Sequence, residues 1–208
     1  MGRYRDATCK LCRRHGEKLF LKGTKCATDK CAVAKRPFPP GQHGKVRIKE
    51  SDYGYQVKEK QKVKRIYGVL ERQFRHYFII ASRSKGVTGE VLLQLLERRL
   101  DNVIYKLCFA TSRSQARQIV KHNLVKVNSR NVNIPSYSVK IGDKIEIKPK
   151  EKITKFIKDI KELLKDRPVP PWLKRDDNDL KAEVISLPKR EDVGFPVEES
   201  LIVELYSK

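Results

Sequence analysis

A chain of 208 residues with 39% apolar side chains is long enough for one or two compact domains with a modest core, and its 47 Lys+Arg against 25 Asp+Glu leave a formal net charge of +22. The excess is partitioned: residues 1–150 hold 35 basic against 12 acidic side chains, and residues 151–208 hold 12 against 13, so a polyanion-facing surface is expected over several elements of the first part. A solubility role alone is served by mixed signs and moderate charge, and with no long apolar span and no Trp/Phe-rich amphipathic helix the pattern argues against a membrane partner.

Met1 to Asp6 lead straight into polar sequence with no secretory signal, so a cytoplasmic chain with reduced thiols is expected. Four of the five cysteines follow as Cys9-x2-Cys12 and Cys26-x4-Cys31. Two close pairs joined by a short loop can set four thiolates around one zinc ion, and a charge-dense peptide gains from the metal the core it lacks. One structural Zn2+ on Cys9, Cys12, Cys26 and Cys31 is the expectation, making an N-terminal zinc knuckle. An iron–sulfur cluster has similar ligand chemistry, and His15 is either a substitute ligand or a solvated or anion-facing loop group. Arg3, Arg5, Lys10, Arg13, Arg14, Lys22 and Lys25 surround the cysteines and would ride on a metal-ordered segment as phosphate ligands.

Pro37 to Gly44, PFPPGQHG, is a stiff, turn-rich linker in which no helix can persist. His43 has no carboxylate or nucleophile nearby, which favours a loop contact over acid–base work. The positive cluster Lys45, Arg47 and Lys49 comes next. Ser51-Asp52 opens a helical region in which Val63, Ile66, Leu70, Phe74, Tyr77, Phe78 and Ala81 trace one face, and Gly68 divides it into two helices. Lys58, Lys60, Lys62, Lys64 and Arg65 wrap around the first helix, so some are solvated; Lys58, Lys62 and Arg65, with Arg72 and Arg75 of the second helix, are the expected polyanion contacts.

Gly86-Val87-Thr88-Gly89 breaks the pattern, after which Leu92, Leu96, Leu100, Val103 and Leu107 make one buried helical stripe. Cys108 beside it reads as core. Ser112 with Gln115 is a capping box that starts a helix, and Asn123 can stop it. Along that helix Arg113, Arg117 and Lys121 form a row free to meet an anion, while Ala116, Ile119 and Val120 face the other way. Leu124–Asn128, Asn131–Ile134, Ser138–Lys140 and Lys144–Lys148 are short β-favouring runs around Ser129-Arg130 and Gly142-Asp143, a hairpin-rich ribbon against two helices.

A third helical pattern recurs through Ile153, Phe156, Ile157, Ile160 and Leu164 until Pro168, Pro170 and Pro171 stop it. Trp172-Leu173 and Ala182–Leu187 read as strands around Asp176-Asp177-Asn178-Asp179, an acidic tip unsuited to phosphate. In the ending PVEESLIVELYSK, Pro196 and two early glutamates favour a helix although Leu-Ile-Val favours a strand, and a helix is expected.

Arg99-Leu100-Asp101, Arg113, Ala116-Arg117, Val127-Asn128 and Pro135 to Asp143 occupy the places of the pattern R-L-D-x-x-x-Y, R-x-x-A-R-x-x-V, V-N and P-S-Y-x-V-x-x-G-D. In this the chain resembles the RNA-binding domain named after ribosomal small-subunit protein four, with Ser129 standing where members usually carry glycine. PGQHG, SDYG, the run EKQKVKRIYGVLERQFR and the tail resemble the same family, so the likeness covers nearly the whole chain; its zinc-binding bacterial members share the cysteine spacing. The resemblance implies a structural protein that binds small-subunit ribosomal RNA at a multi-helix junction early in assembly. It also implies neighbours in small-subunit proteins three and five, an influence on decoding accuracy, and contact with messenger RNA where it enters the subunit, with Lys45, Arg47 and Lys49 in the channel-lining region.

The expected fold is α+β: a knuckle and linker over 1–44, a helical domain over 45–97 joined by the tail 196–208, an RNA-binding domain over 98–160, and an extension over 161–208. An RNA-modifying enzyme is the competing class, since Arg99-Leu100-Asp101 is similar to the R-L-D of pseudouridine synthases. No large mixed-sheet catalytic domain or Gly-rich phosphate loop accompanies it, and Asp101 reads as a helix-face ion-pair partner, so no enzyme and no small-molecule substrate are expected.

Overall fold

The computed structural model describes residues 2–46, 49–149, 151–165, 167–176 and 180–207, with the side chains of 151–153 left out. The chain divides into two units, Met1–Leu92 with Phe195–Lys208, and Leu93–Gly194.

In the first unit, α1 (Thr8–His15), a 3-10 turn at Gly23–Cys26 and α2 (Ala32–Lys35) enclose a small cluster of Cys12, Leu19, Cys31, Val33 and Ile66. The Ser51 hydroxyl accepts from the Gly54 N–H at 3.3 Å and starts α3 (Asp52–Ile66), giving a partner to an amide that the helix itself cannot satisfy. The chain reverses at Gly68, whose φ of 64° is open to glycine at little cost, and enters α4 (Glu71–Arg83). Leu70, expected on the buried face, is instead the 43% exposed residue that precedes α4.

The tail is a helix, Glu199–Ser207, and burial decides this over its β-favouring composition. Ile202 is fully buried and Tyr206, four residues on, stacks on Phe78 and Phe74 at ring separations of 4.6 and 6.3 Å. The Gln56 amide donates to Glu204 at 3.0 Å, so α3 and the tail are joined by polar as well as apolar contacts.

The stripe expected to be one helix from Leu92 to Leu107 is two, α5 (Thr88–Glu97) and α6 (Leu100–Lys106). Its leucines and Val103 are all buried, so the spacing reports packing correctly, but Arg99 between them is extended and bridges to Ser138. The expected strand at Ser138–Lys140 is reduced to that bridge, and Thr88-Gly89 belong to α5. The Ser112 hydroxyl accepts from the Gln115 N–H at 3.3 Å to start α7 (Arg113–Lys121), while the Gln115 side chain reaches back to the N–H of Thr111, one residue earlier than a capping box requires. Asn123, at φ 57°, ends the turn that follows.

β1 (Val125–Val127), β2 (Arg130–Asn131) and β3 (Lys144–Ile147) are followed by α8 (Glu151–Leu163), β4 (Leu173–Arg175) and β5 (Lys181–Val184). The strands form one antiparallel five-stranded sheet in the order β2-β1-β3-β5-β4. The sheet thus runs across the division expected at residue 160: Ala182 of β5 stands opposite Ile145 of β3, and residues 161–194 complete the second unit. Val125, Val127, Ile145, Ile147, Ala182 and Val184 alternate with more exposed charged residues and bury one face together with Leu100, Val103, Ile104, Val120, Ile157 and Trp172. In α8, Ile157 and Ile160 are buried while Phe156, expected on the same stripe, is 46% exposed. Asp177, Asn178 and Asp179 of the acidic tip lie outside the described residues.

Candidate nucleic-acid interface

The row on α7 does not form a uniformly free face. Arg117 is 6% exposed and its Nη1 lies 3.1 Å from Asp101 Oδ2, while Arg99, 1% exposed, donates to both oxygens of the same carboxylate at 3.1 and 2.7 Å. Asp101 is therefore a buried anchor between two guanidinium groups and joins α6 to α7. Arg113 donates through Nε to Asn102 Oδ1 at 2.8 Å and lies over the Tyr105 ring, 4.4 Å from its centroid. Lys121 is exposed. Arg117 thus serves the core, and Arg113 and Lys121 are the members of the row that solvent reaches.

The lysines of α3 divide in the same way. Lys62 is 6% exposed, with Glu17 at 2.9 Å and Glu59 at 3.7 Å, so it braces the unit from inside. Lys60 and Lys64 each hold an oxygen of Glu71 at 2.8 Å, and the Tyr206 hydroxyl donates to Glu71 at 2.8 Å. Burial alone would raise the Glu71 carboxyl, but these three hydrogen bonds outweigh it and bring its pKa to about 2. Lys58 pairs with Glu50 at 2.8 Å, and Arg65 shares a 2.5 Å contact with His15 Nε2. Burial, then the nearby Arg65, Lys58 and Lys62 cations, lower His15 to about 4, so near neutral pH the ring is uncharged and accepts from Arg65.

Arg13 straps α1 to the following loop, its Nε donating to the carbonyls of Arg36 and Phe38 at 3.1 and 3.0 Å. Lys45 lies over the Phe38 ring at 5.5 Å. Of the cations expected to meet a polyanion, Arg3, Arg5, Lys10, Arg14, Lys22, Lys25, Lys45, Lys49, Arg72 and Arg75 are exposed in the first unit, and Arg47 lies outside the described residues. Gly44 of PGQHG is compelled by space, since a Cβ there would stand 2.0 Å from the Pro39 carbonyl oxygen.

All four N-terminal cysteines are free thiols and line one small pocket with Thr8, Leu21, Lys22, Ala32 and Val33. The Lys22 N–H donates to Cys26 Sγ at 3.3 Å, and burial, aided by the neighbouring cysteines, pushes the Cys12 and Cys26 thiols up. Among the described residues no set of three or more His, Cys, Asp or Glu side chains is arranged to hold a metal ion, so the knuckle remains an expectation of the donor set. His15 is turned to Arg65. Cys108 is fully buried, as expected, but in left-handed backbone (φ 60°) just past α6.

The residues that tie these elements together are those of the recurring motifs. The carbonyls of Tyr137 and Pro135 accept from the first amides of α6, Leu100 and Asp101, at 2.8 and 3.2 Å. Asn128 donates to Asp143 at 2.8 Å and accepts from the Lys144 N–H at 2.9 Å, and Asp143 also accepts from the Lys140 N–H at 2.8 Å.

A family model described as the ribosomal protein S4/S9 N-terminal domain matches residues 3–97, and one described as the S4 domain matches residues 98–145. Over its whole length the chain is 59% identical to the small ribosomal subunit protein uS4 of Caldicellulosiruptor saccharolyticus, 56% to that of Ruminiclostridium cellulolyticum and 55% to that of Dictyoglomus turgidum, with the whole of each relative covered. The chain belongs to the uS4 family. In this chain the R-L-D, V-N, P-S-Y and G-D segments are polar joints that hold helix to helix and turn to turn.

Glu71 was not apparent from sequence as a tie between helices. Its partners lie on α3 and on the tail, across the Gly68 reversal, where helical spacing carries no information. Asn102 and Glu97, bonded at 2.7 Å and both buried, were missed because nothing but their burial marks them.

Proposed function

We infer that the chain is a structural RNA-binding component of the small ribosomal subunit and performs no chemistry on its partner. Family membership across the whole chain carries this reading, and the exposed cations on α1, at Lys45 and Lys49, on α4 and on α7 supply its physical means. Folded RNA presents phosphate ridges and a shallow minor groove, which are recognised through shape and backbone contacts. Cations placed on several elements can meet several RNA strands at once, which supports the finer proposal that the protein binds a multi-helix junction and nucleates assembly of the subunit. Lys45 and Lys49 are proposed to line the region where messenger RNA enters, beside small-subunit proteins three and five, with an influence on decoding accuracy. The test is chemical footprinting of naked small-subunit ribosomal RNA with the purified protein. Protection of nucleotides from several helices at one junction is the expected result, and an unprotected RNA in mild salt overturns the reading.

One structural Zn2+ on Cys9, Cys12, Cys26 and Cys31 is part of the proposal. The donor set has the right chemistry, although the thiols are not drawn together around one point: four free thiols line one pocket, an amide already donates to one sulfur, and the apolar cluster beneath is small. The metal would supply cross-linking of α1, the 3-10 turn and the start of α2. Metal analysis of natively purified protein is expected to give about one zinc per chain. A value near zero rejects the site, and iron in its place makes it a cluster.

A further inference from the structure

We propose that Phe20, an exposed ring held in left-handed backbone beside the cysteine pocket, is a stacking platform for an unpaired base of the small-subunit ribosomal RNA. The proposal rests on the RNA-binding reading above and adds to its phosphate contacts a base contact that none of the sequence motifs contains.

Phe20 has a φ of 50° and is 50% exposed. Single exposed aromatic side chains are common on protein surfaces and by themselves signify little. A bulky residue in the left-handed region is a different matter, because its Cβ crowds the following carbonyl oxygen at a cost that glycine avoids. The other non-glycine residues so placed among the described residues have reasons in the fold. Cys108 is fully buried, Asn123 ends the turn after α7, and Asn128 with Ser129 makes the two-residue link from β1 to β2.

The backbone at Phe20 is dictated by its neighbours. Leu19 is 4% exposed and belongs to the apolar cluster with Cys12, Cys31, Val33 and Ile66, and Leu21 packs against the same cluster. Burial raises the Cys12 thiol, the Leu19 amide opposes that rise by hydrogen-bonding the sulfur, and the Lys22 N–H donates to Cys26 Sγ at 3.3 Å. With both flanking side chains committed to the cluster and amides anchored at either end, the chain between turns sharply and leaves residue 20 outside. Glycine would make that turn without crowding, and a polar side chain would meet water at no cost. A phenyl ring answers neither need. Cluster and turn thus explain the backbone of Phe20 and leave its ring to an external partner.

The surroundings say what that partner is. Lys18 and Lys22, two residues to either side, are exposed, and among the described residues neither forms an ion pair. Glu17, the acid nearest in the chain, is engaged by Lys62 at 2.9 Å. An apolar ring framed by cations suits a base with its flanking phosphates, whereas an apolar protein surface would have to desolvate the ammonium groups. Every base has a π face, so stacking adds affinity without reading sequence, and the unpaired bases of loops and junctions are the ones free to stack on an aromatic side chain. A ring on a backbone fixed by the cluster beneath is already in place before the base arrives.

Stacking and charge separate in the binding of the full-length protein to a transcript of small-subunit ribosomal RNA, measured over a range of potassium chloride for the wild type, Phe20→Leu and Phe20→Tyr, with thermal unfolding of each. Leucine keeps apolar bulk and the same backbone crowding but has no π face; tyrosine keeps the face. Phe20→Leu is expected to lose on the order of tenfold in affinity while its logarithmic salt slope stays at the wild-type value, since no phosphate contact is removed, and Phe20→Tyr to keep both. Chemical probing of the bases should then show one unpaired base protected by the wild type and by Phe20→Tyr but reactive with Phe20→Leu. Wild-type affinity for Phe20→Leu overturns the platform and leaves the ring to a neighbouring protein. Equal losses in the two variants overturn it as well, because the ring then serves only the fold of its segment. A wild-type protein that fails to bind the transcript overturns the RNA-binding reading itself, a result distinct from a loss confined to one variant.

Discussion

Two carboxylates, one in each unit, carry out the same task in opposite surroundings. Asp101 joins Arg99 and Arg117 with a side chain 5% exposed, whereas Glu71 joins Lys60, Lys64 and Tyr206 with a side chain 45% exposed. The difference teaches how each unit uses charge. In the second unit a dry ionic knot sits beside a broad apolar core, so the knot is costly to break even if its net contribution over an apolar substitute is small. In the first unit the apolar cluster around Cys12 and Ile66 is smaller, and water screens the pairs that link α3, α4 and the tail, so each link is weak and the links act together.

The largest expected effect is therefore Asp101→Ala. It leaves two buried guanidinium groups without their shared partner and should cost about 3 to 5 kcal/mol, a large part of the stability of an ordinary domain. Denaturant unfolding followed by a probe in the second unit measures it; a loss under about 1 kcal/mol would show that water reaches the knot and that the contrast between the units is false. Arg117→Ala should be destabilising as well, which separates it from Lys121→Ala, an exposed change expected to leave stability within about 0.5 kcal/mol.

Glu71 should give a smaller effect with a pH signature. Its folded pKa of about 2 lies below the ordinary 4.5, so the unfolded chain takes up the proton first as acid is added. The stabilisation is complete above the unfolded value and is lost as pH falls from there through about 2. Because the side chain is nearly half exposed, solvent screening reduces the worth of the shift to about 1 kcal/mol. Glu71→Gln should remove that acid-dependent component and about the same stability, and added salt should shrink the difference between wild type and variant. Salt-independence would place Glu71 in the same class as Asp101.

The positions where reading the sequence failed are positions where a charge is turned inward. Spacing correctly assembled Arg113, Arg117 and Lys121 into a row, since side chains four apart on a helix must align. It could not show that Asp101, sixteen residues earlier in the chain, would meet the middle of that row. Lys62 escaped for the same reason, its partner Glu17 being supplied from the N-terminal segment. The break at Arg99 was invisible because the leucines on either side keep a helical spacing while the backbone between them does not. Features whose cause is local were legible: the Ser51 and Ser112 caps, the Gly68 reversal, and the alternation that makes β1, β3 and β5. The tail lay between these cases, its end signals right and its β-favouring centre overruled by the burial of Ile202 and Tyr206's stacking.

The smallest effect tests whether the second unit's surface turns matter beside its core. Asn128 and Ser129 link β1 to β2 with φ values of 48° and 66°, the left-handed pair that a two-residue hairpin needs to match strand twist. Asparagine tolerates this region and is also held there by Asp143 and Lys144, but serine has no such compensation and its Cβ crowds the carbonyl. Ser129→Gly removes that crowding at the cost of a more flexible unfolded chain, so the net gain should be modest, about 0.5 to 1 kcal/mol of added stability. Asp101→Ala and Ser129→Gly act at separated places with no shared partner, so their effects should add. A Ser129→Gly variant that is destabilised would mean that the hydroxyl or the stiffer backbone holds the hairpin, and that this turn belongs with the polar joints that secure the unit.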